Sequence, residues 1–118
     1  MESTQSESTW RCAADAVAPG QTARFQLQFR GRTVHAFIVN HGGCHHAYVN
    51  RCPHAGTPLD WWPNEFFTED GRYLICATHG AVFAPDTGLC LEGPCSGKRL
   101  ERLPVTRRGD LLEVSGPA

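Results

Sequence analysis

With 118 residues, 41% of them hydrophobic and 19% charged, the chain has material for one domain with a modest core and too little for two. A formal net charge of −1 gives no footprint for nucleic acid or an anionic membrane, and no apolar run is long enough to span a bilayer. The polar start MESTQSEST lacks the basic head and apolar stretch of a secretory signal, so a cytoplasmic protein is expected, where six cysteines point to metal or redox work rather than to disulfides.

Residues 1–9 are expected to form a flexible N-terminal tail, with one domain over residues 10–118. RFQLQF (Arg24 to Phe29) places Phe25, Leu27 and Phe29 on one side, the period of a half-buried strand. Gly31 then punctuates, and the β-branched, aromatic run RTVHAFIVN (Arg32 to Asn40) predicts a second strand and a hairpin. HAYVN (His46 to Asn50) reads as a third strand, and YLIC (Tyr73 to Cys76) as a fourth after the turn signal EDG. Near the end, RLPV and LLEV flank RRGD as a final hairpin. Nowhere do apolar residues recur at helical spacing, and eight prolines and twelve glycines punctuate short strands, so an all-β domain with long functional loops is expected.

Cysteine and histidine crowd the middle of the chain. HGGCHH, from His41 to His46, is the densest run, but it lies between two strand-like segments, and Gly42-Gly43 offers the positive φ of a tight connection. Vicinal His45 and His46 would point to opposite faces and chelate poorly. A hairpin tip is expected there. Two sparser boxes remain, CPHAG with Cys52 and His54, and CATHGA with Cys76 and His79, each directly after a strand. A mononuclear Cys₂His₂ zinc module could use these four residues. Each box, however, supplies one Cys and one His, which suits a two-iron cluster with both thiolates on one iron and both imidazoles on the other.

At these boxes the sequence resembles the Rieske [2Fe–2S] family, in which His₂ replaces Cys₂ on one iron. Gly80 after His79, the stretch GAVFAPDTGLCLEGPC (Gly80 to Cys95) with its Gly93-Pro94, and LPV (Leu103 to Val105) fit the segment C-terminal to the second box in Rieske ferredoxins. The resemblance runs from about Arg24 to Val114. It implies an antiparallel β-sandwich with a cluster-binding subdomain made of two loops plus a proline loop. It also implies one [2Fe–2S] cluster per chain, held by Cys52, His54, Cys76 and His79. Formal charge explains the ligand set: two ferric ions, two sulfides and two thiolates sum to zero, so the added electron enters a neutral site, and imidazole ligation raises the potential.

Two departures set the chain apart from high-potential members. Thr57 and Thr78 stand where those members carry a second cysteine in each box, so no bridge joins the loops. Ala81 and Phe83 stand where hydroxyls donate to cluster sulfurs, which implies the low-potential, oxygenase-ferredoxin branch. Cys90 and Cys95, flanking LEGP, are expected as free thiols; Cys12 and Cys44 have no assigned partner, and His35 is expected as a packed or surface residue.

Function can be inferred from the sites the chain contains. After His79 no second His/His/carboxylate iron site appears, so an electron-transfer component is expected rather than an enzyme. The resemblance implies a one-electron carrier between a flavin reductase and an oxygenase or similar acceptor. The alternative is a small iron–sulfur subunit of a nitrite-reductase-like complex, or a redox sensor. Charge is segregated: Asp60, Glu65, Glu69 and Asp70 crowd one segment, and Lys98, Arg99, Arg102, Arg107 and Arg108 another. Both read as solvated surface, and Trp61-Trp62 reads as packing or as a docking patch for a redox partner.

Overall fold

A computed structural model of the protein describes residues 9–53, 59, 66–76 and 80–116. Among the described residues, ten strands run in chain order: β1 (Trp10–Ala13), β2 (Thr22–Phe29), β3 (Arg32–His41), β4 (Cys44–Val49), β5 (Leu74–Ile75), β6 (Val82–Phe83), β7 (Cys90–Glu92), β8 (Arg102–Leu103), β9 (Val105–Arg108) and β10 (Leu111–Val114). They form three antiparallel sheets, ordered β2-β3-β4-β8, β1-β10-β9 and β5-β6-β7. This is the β-sandwich with a smaller subdomain that the sequence implied. No helix among the described residues is long and apolar enough to cross a membrane.

Strand β3 explains the layering. Ala36, Phe37, Ile38 and Val39 are all buried, so the strand is covered on both faces and reads as a continuous apolar run rather than an alternation. Ala36 and Ile38 join Phe25, Leu27, Ala47, Leu103, Leu112 and Val114 in one core, under the β1-β10-β9 sheet. Phe37 and Val39 face the other way, with Tyr48, into a second core shared with the small β5-β6-β7 sheet. There Phe37 stacks on Phe66, with ring centroids 4.1 Å apart.

Gly42 and Gly43, with φ of +63° and +89°, close the two-residue β3–β4 turn between the facing pair His41 and Cys44. The final hairpin differs from the sequence expectation. RLPV is divided at Pro104: Arg102–Leu103 pair with β4 in the central sheet, whereas Val105–Arg108 pair with β10 in the other. Proline has no N–H to give a ladder, so the chain changes sheets where it sits. Strand β1, which no pattern marked, completes that second sheet, and Trp10 stacks on Phe25.

The two halves are also joined by polar contacts. The Tyr48 hydroxyl donates to the Pro85 carbonyl at 2.7 Å, and Arg102 donates to the Asp86 carbonyl at 2.7 Å. Burial pushes the Tyr48 phenol up to about 12, so it stays a donor. Arg102 lies within 2.8 Å of His46 Nδ1, and a guanidinium can only donate, so Nδ1 must accept. Burial and then the Arg102 charge hold His46 below its usual value. A depressed folded-state value means the unfolded chain binds the proton more readily. The associated stability is therefore complete above about pH 6.5, the ordinary histidine value, and is lost as pH falls through the folded one. Thermal melts should show a midpoint that declines on acidification through that window, with a shallower slope in His46→Gln. Equal slopes in the two proteins would contradict the assignment.

Candidate metal centre

The first box is positioned by strand β4 and its exit. Asn50 N–H donates to the His35 carbonyl and Arg51 N–H to the Val49 carbonyl, both at 2.8 Å, and Cys52 comes next, 1% exposed. The Asn50 side chain then reaches past the box: its Oδ1 accepts from the Leu59 N–H at 2.9 Å, in a buried setting. One amide thus ties together the two sides of the loop that carries CPHAG.

The second box leaves strand β5. Cys76, fully buried, donates its N–H to the Ala81 carbonyl, and Gly80 N–H donates back to the Cys76 carbonyl, both at 2.8 Å. These bonds fix the two ends of CATHGA before β6 begins. A third loop closes over it. At Gly93, whose φ is +103°, a Cβ would sit 2.9 Å from the Ala81 Cα, so only glycine lets the Gly93-Pro94 turn lie this close to the box. Two residues on, Cys95 is buried and donates to Cys90 across 2.9 Å (Sγ to Sγ).

Cys52 and Cys76 both belong to one buried core, with Ala81, Phe83, Cys90 and Cys95 among its members. Buried thiolates in an apolar surround are costly without a compensating cation, and soft sulfur donors suit iron or zinc. Cys52 and Cys76, the two expected ligands among the described residues, fit a metal centre. His54 and His79, with Thr57, Thr78, Asp60, Trp61, Trp62 and Glu65, lie outside the described residues.

HGGCHH is a hairpin turn, as expected. His45 Nε2 lies 3.1 Å from the Val17 carbonyl, His46 turns to Arg102, and Cys44 is exposed. No metal-holding group of three or more ligands occurs among the described residues. His35 is a surface residue, and Cys12, Cys44, Cys90 and Cys95 are free thiols. The basic segment is partly engaged in the fold itself: Arg102 as above, Arg107 on the Gly109 carbonyl and Arg108 near Glu113 at 3.7 Å. The Asn50 clasp on Leu59 went unseen in the sequence, because it depends on a side chain meeting backbone across a loop.

Asn50→Ala should cost about 1–3 kcal/mol, because it leaves the buried Leu59 N–H without its acceptor. Urea unfolding measures the loss, and iron content measures whether the first box still closes; full retention of both would contradict the clasp.

The family model for the Rieske [2Fe-2S] domain matches residues 7–107. A search of curated proteins found no matching relative. Among solved structures, the ferredoxin of carbazole 1,9a-dioxygenase from Nocardioides aromaticivorans IC177 superposes with a TM-score of 0.70 at 23% identity, over 94% of this chain and 99% of that one. A chain from the complex of reduced oxygenase and oxidized ferredoxin in carbazole 1,9a-dioxygenase gives 0.72 at 23% identity, over 97% and 96%. A chain from the reduced complex between oxygenase and ferredoxin gives 0.72 at 14% identity, over 90% of this chain but only 27% of that longer one. At these identities the likeness is one of fold. The family match covers most of the sequence, both boxes included, and on it the chain belongs to the Rieske [2Fe-2S] domain family.

Proposed function

We propose that this protein is a one-electron carrier, a Rieske-type ferredoxin that takes electrons from a flavin reductase and gives them to an oxygenase or similar acceptor. The observation that carries the reading is the burial of Cys52 and Cys76 in one core, on two loops of a fold matched nearly end to end by the ferredoxin of carbazole 1,9a-dioxygenase. In this reading Cys52 and Cys76 hold one iron and His54 and His79 the other. When bound, the [2Fe–2S] cluster supplies one reversible electron per chain. The chain's own part is to bury the thiolates, fix both boxes by backbone bonds and keep water away from sulfur. It carries out no bond-making chemistry, and it is a transfer component rather than an enzyme.

Replacing Cys52, His54, Cys76 or His79 by Ala should abolish bound iron, whereas His41→Ala and His45→Ala should leave iron content unchanged. Iron lost equally from those two controls would overturn the ligand set. The loaded protein, in catalytic amounts, should shuttle electrons from a flavin reductase to excess oxygenase, leaving each partner after every transfer. Recovery only in a stable stoichiometric complex would favour a subunit of a nitrite-reductase-like assembly.

The potential depends on the residues around sulfur. Ala81 and Phe83 are both fully buried and carry no hydroxyl, so neither side chain can donate to a sulfur of the reduced centre. The protein therefore belongs in the lower third of the family range of roughly −150 to +300 mV. A hydrogen bond to a charged group contributes about 1.5–3 kcal/mol, and ~59 mV is a tenfold change for one electron, so one added bond is worth roughly 60–130 mV. Ala81→Ser and Phe83→Tyr should each move the potential upward by at most that amount. Voltammetry decides it, and a wild-type value above about +150 mV, in the upper half of the range, would contradict the assignment.

A further inference from the structure

The small sheet has one buried face and one open face. Leu74 and Phe83 are opposite each other on β5 and β6, and both are fully buried. The adjacent pair, Ile75 and Val82, must point the other way, and both are only half-buried. Val82 pairs in turn with Glu92 on β7, whereas Phe83 pairs with Cys90, so Leu91 is the extra residue of a bulge. Leu91 is 43% exposed, and Tyr73, just before β5, is 38% exposed. Among the described residues only Leu111, in a different sheet, is another exposed large hydrophobic. Tyr73, Val82 and Leu91 line one open groove together with Glu69, Asp70 and Glu92, whose carboxylates are all exposed. A closed turn holds two of those acids in place. Thr68 N–H donates to the Tyr73 carbonyl and Gly71 N–H to the Thr68 carbonyl, both at 2.8 Å, while Asp70 Oδ1 accepts from the Arg72 N–H at 3.1 Å.

We propose that this outer face of the small sheet is the docking surface for a redox partner that presents an apolar centre inside a basic rim. Exposed apolar groups framed by charge mark a protein contact, and three carboxylates with no lysine or arginine among the lining residues select a basic surface. Arg72 belongs to the same turn but does not line the groove. The face also backs the second box: Ile75 directly precedes Cys76, and Val82 opens the strand that follows Ala81. A partner seated here lies against the strands that enter and leave that box. The docking is argued from the surface alone. Its purpose, passing one electron from the reduced centre to the partner, rests on the carrier reading proposed above. Rim charges speed the encounter and are screened by salt, whereas the apolar centre governs how long the complex lasts.

Ferric cytochrome c, a basic redox protein with an exposed haem edge, serves as the probe, and two readouts separate docking from electron transfer. In the first, the full chain loaded with iron is mixed with the probe at low salt, cross-linked with a carbodiimide and mapped by peptide mass. The expected result is amide bonds from Glu69, Asp70 or Glu92 to lysines of the probe, lost at high salt. In the second, stopped-flow absorbance follows the reduced protein giving its one electron to the ferric haem. Glu69→Gln combined with Glu92→Gln should slow the second-order rate at low salt about tenfold and flatten its salt dependence. Leu91→Ser should lower cross-link yield and rate with the salt dependence kept. The control pair Asp15→Asn and Glu101→Gln removes the same charge from exposed positions away from the groove and should leave the rate near wild type. Iron content and melting temperature confirm that each variant is folded. Cross-links confined to other carboxylates, or equal slowing by both charge pairs, would overturn the docking face. Cross-links through this face between two copies of the chain, formed without the probe, would overturn it in favour of self-association. Protein that holds no reducible centre would fail the carrier reading, and its cross-link map would still decide the face.

Discussion

Strand β3 is buried on both faces, and every other layer takes its place from that fact. Phe37, Ile38 and Val39 are fully buried on alternating sides, and each contributes on the order of 1.5–3 kcal/mol relative to exposure. One side fixes the sheet formed by β1, β10 and β9. The other fixes the cluster subdomain through Phe37 stacked on Phe66. Phe66 in turn accepts from the Ile75 N–H through its carbonyl, one residue before Cys76. The position of a candidate ligand is thus two contacts from the centre of the molecule.

The same arrangement defines the environment of sulfur. Cys52 and Cys76 are nearly or fully inaccessible, and the Gly93-Pro94 turn packs on the backbone of the second box. Such apolar surroundings favour the oxidation state that carries less charge, which holds the potential low. The buried side chains that follow the second box, Ala81 and Phe83, offer no hydroxyl, which leaves donation to sulfur to other groups such as backbone N–H.

Most of this architecture could be read from the residues. The alternation in RFQLQF and the glycine pair in HGGCHH placed β2, β3 and β4 within a few positions, because half-buried strands and type I′ turns leave local signals. The two boxes, with their mixed Cys and His, pointed to the family and to Cys52 and Cys76. The features that stayed hidden are non-local. Strand β1 is short and has little pattern of its own; it exists because β10 offers an edge. Pro104 looked like an interruption within one strand and proved to be the point where the chain changes sheets. Asn50 clasping Leu59, and Cys95 meeting Cys90 beyond the Gly93-Pro94 turn, are products of loop closure, which periodicity does not encode.

The central claim is that two histidines and two cysteines, one of each from each box, hold a single two-iron centre. Pulsed electron paramagnetic resonance on the reduced protein, prepared with natural-abundance and with ¹⁵N-labelled histidine, tests it most directly. The expected result is strong coupling of the unpaired electron to nitrogens of two histidines, shifted by the label. A paramagnetic centre without histidine coupling, or a colourless protein that holds zinc and gives no signal, would contradict it.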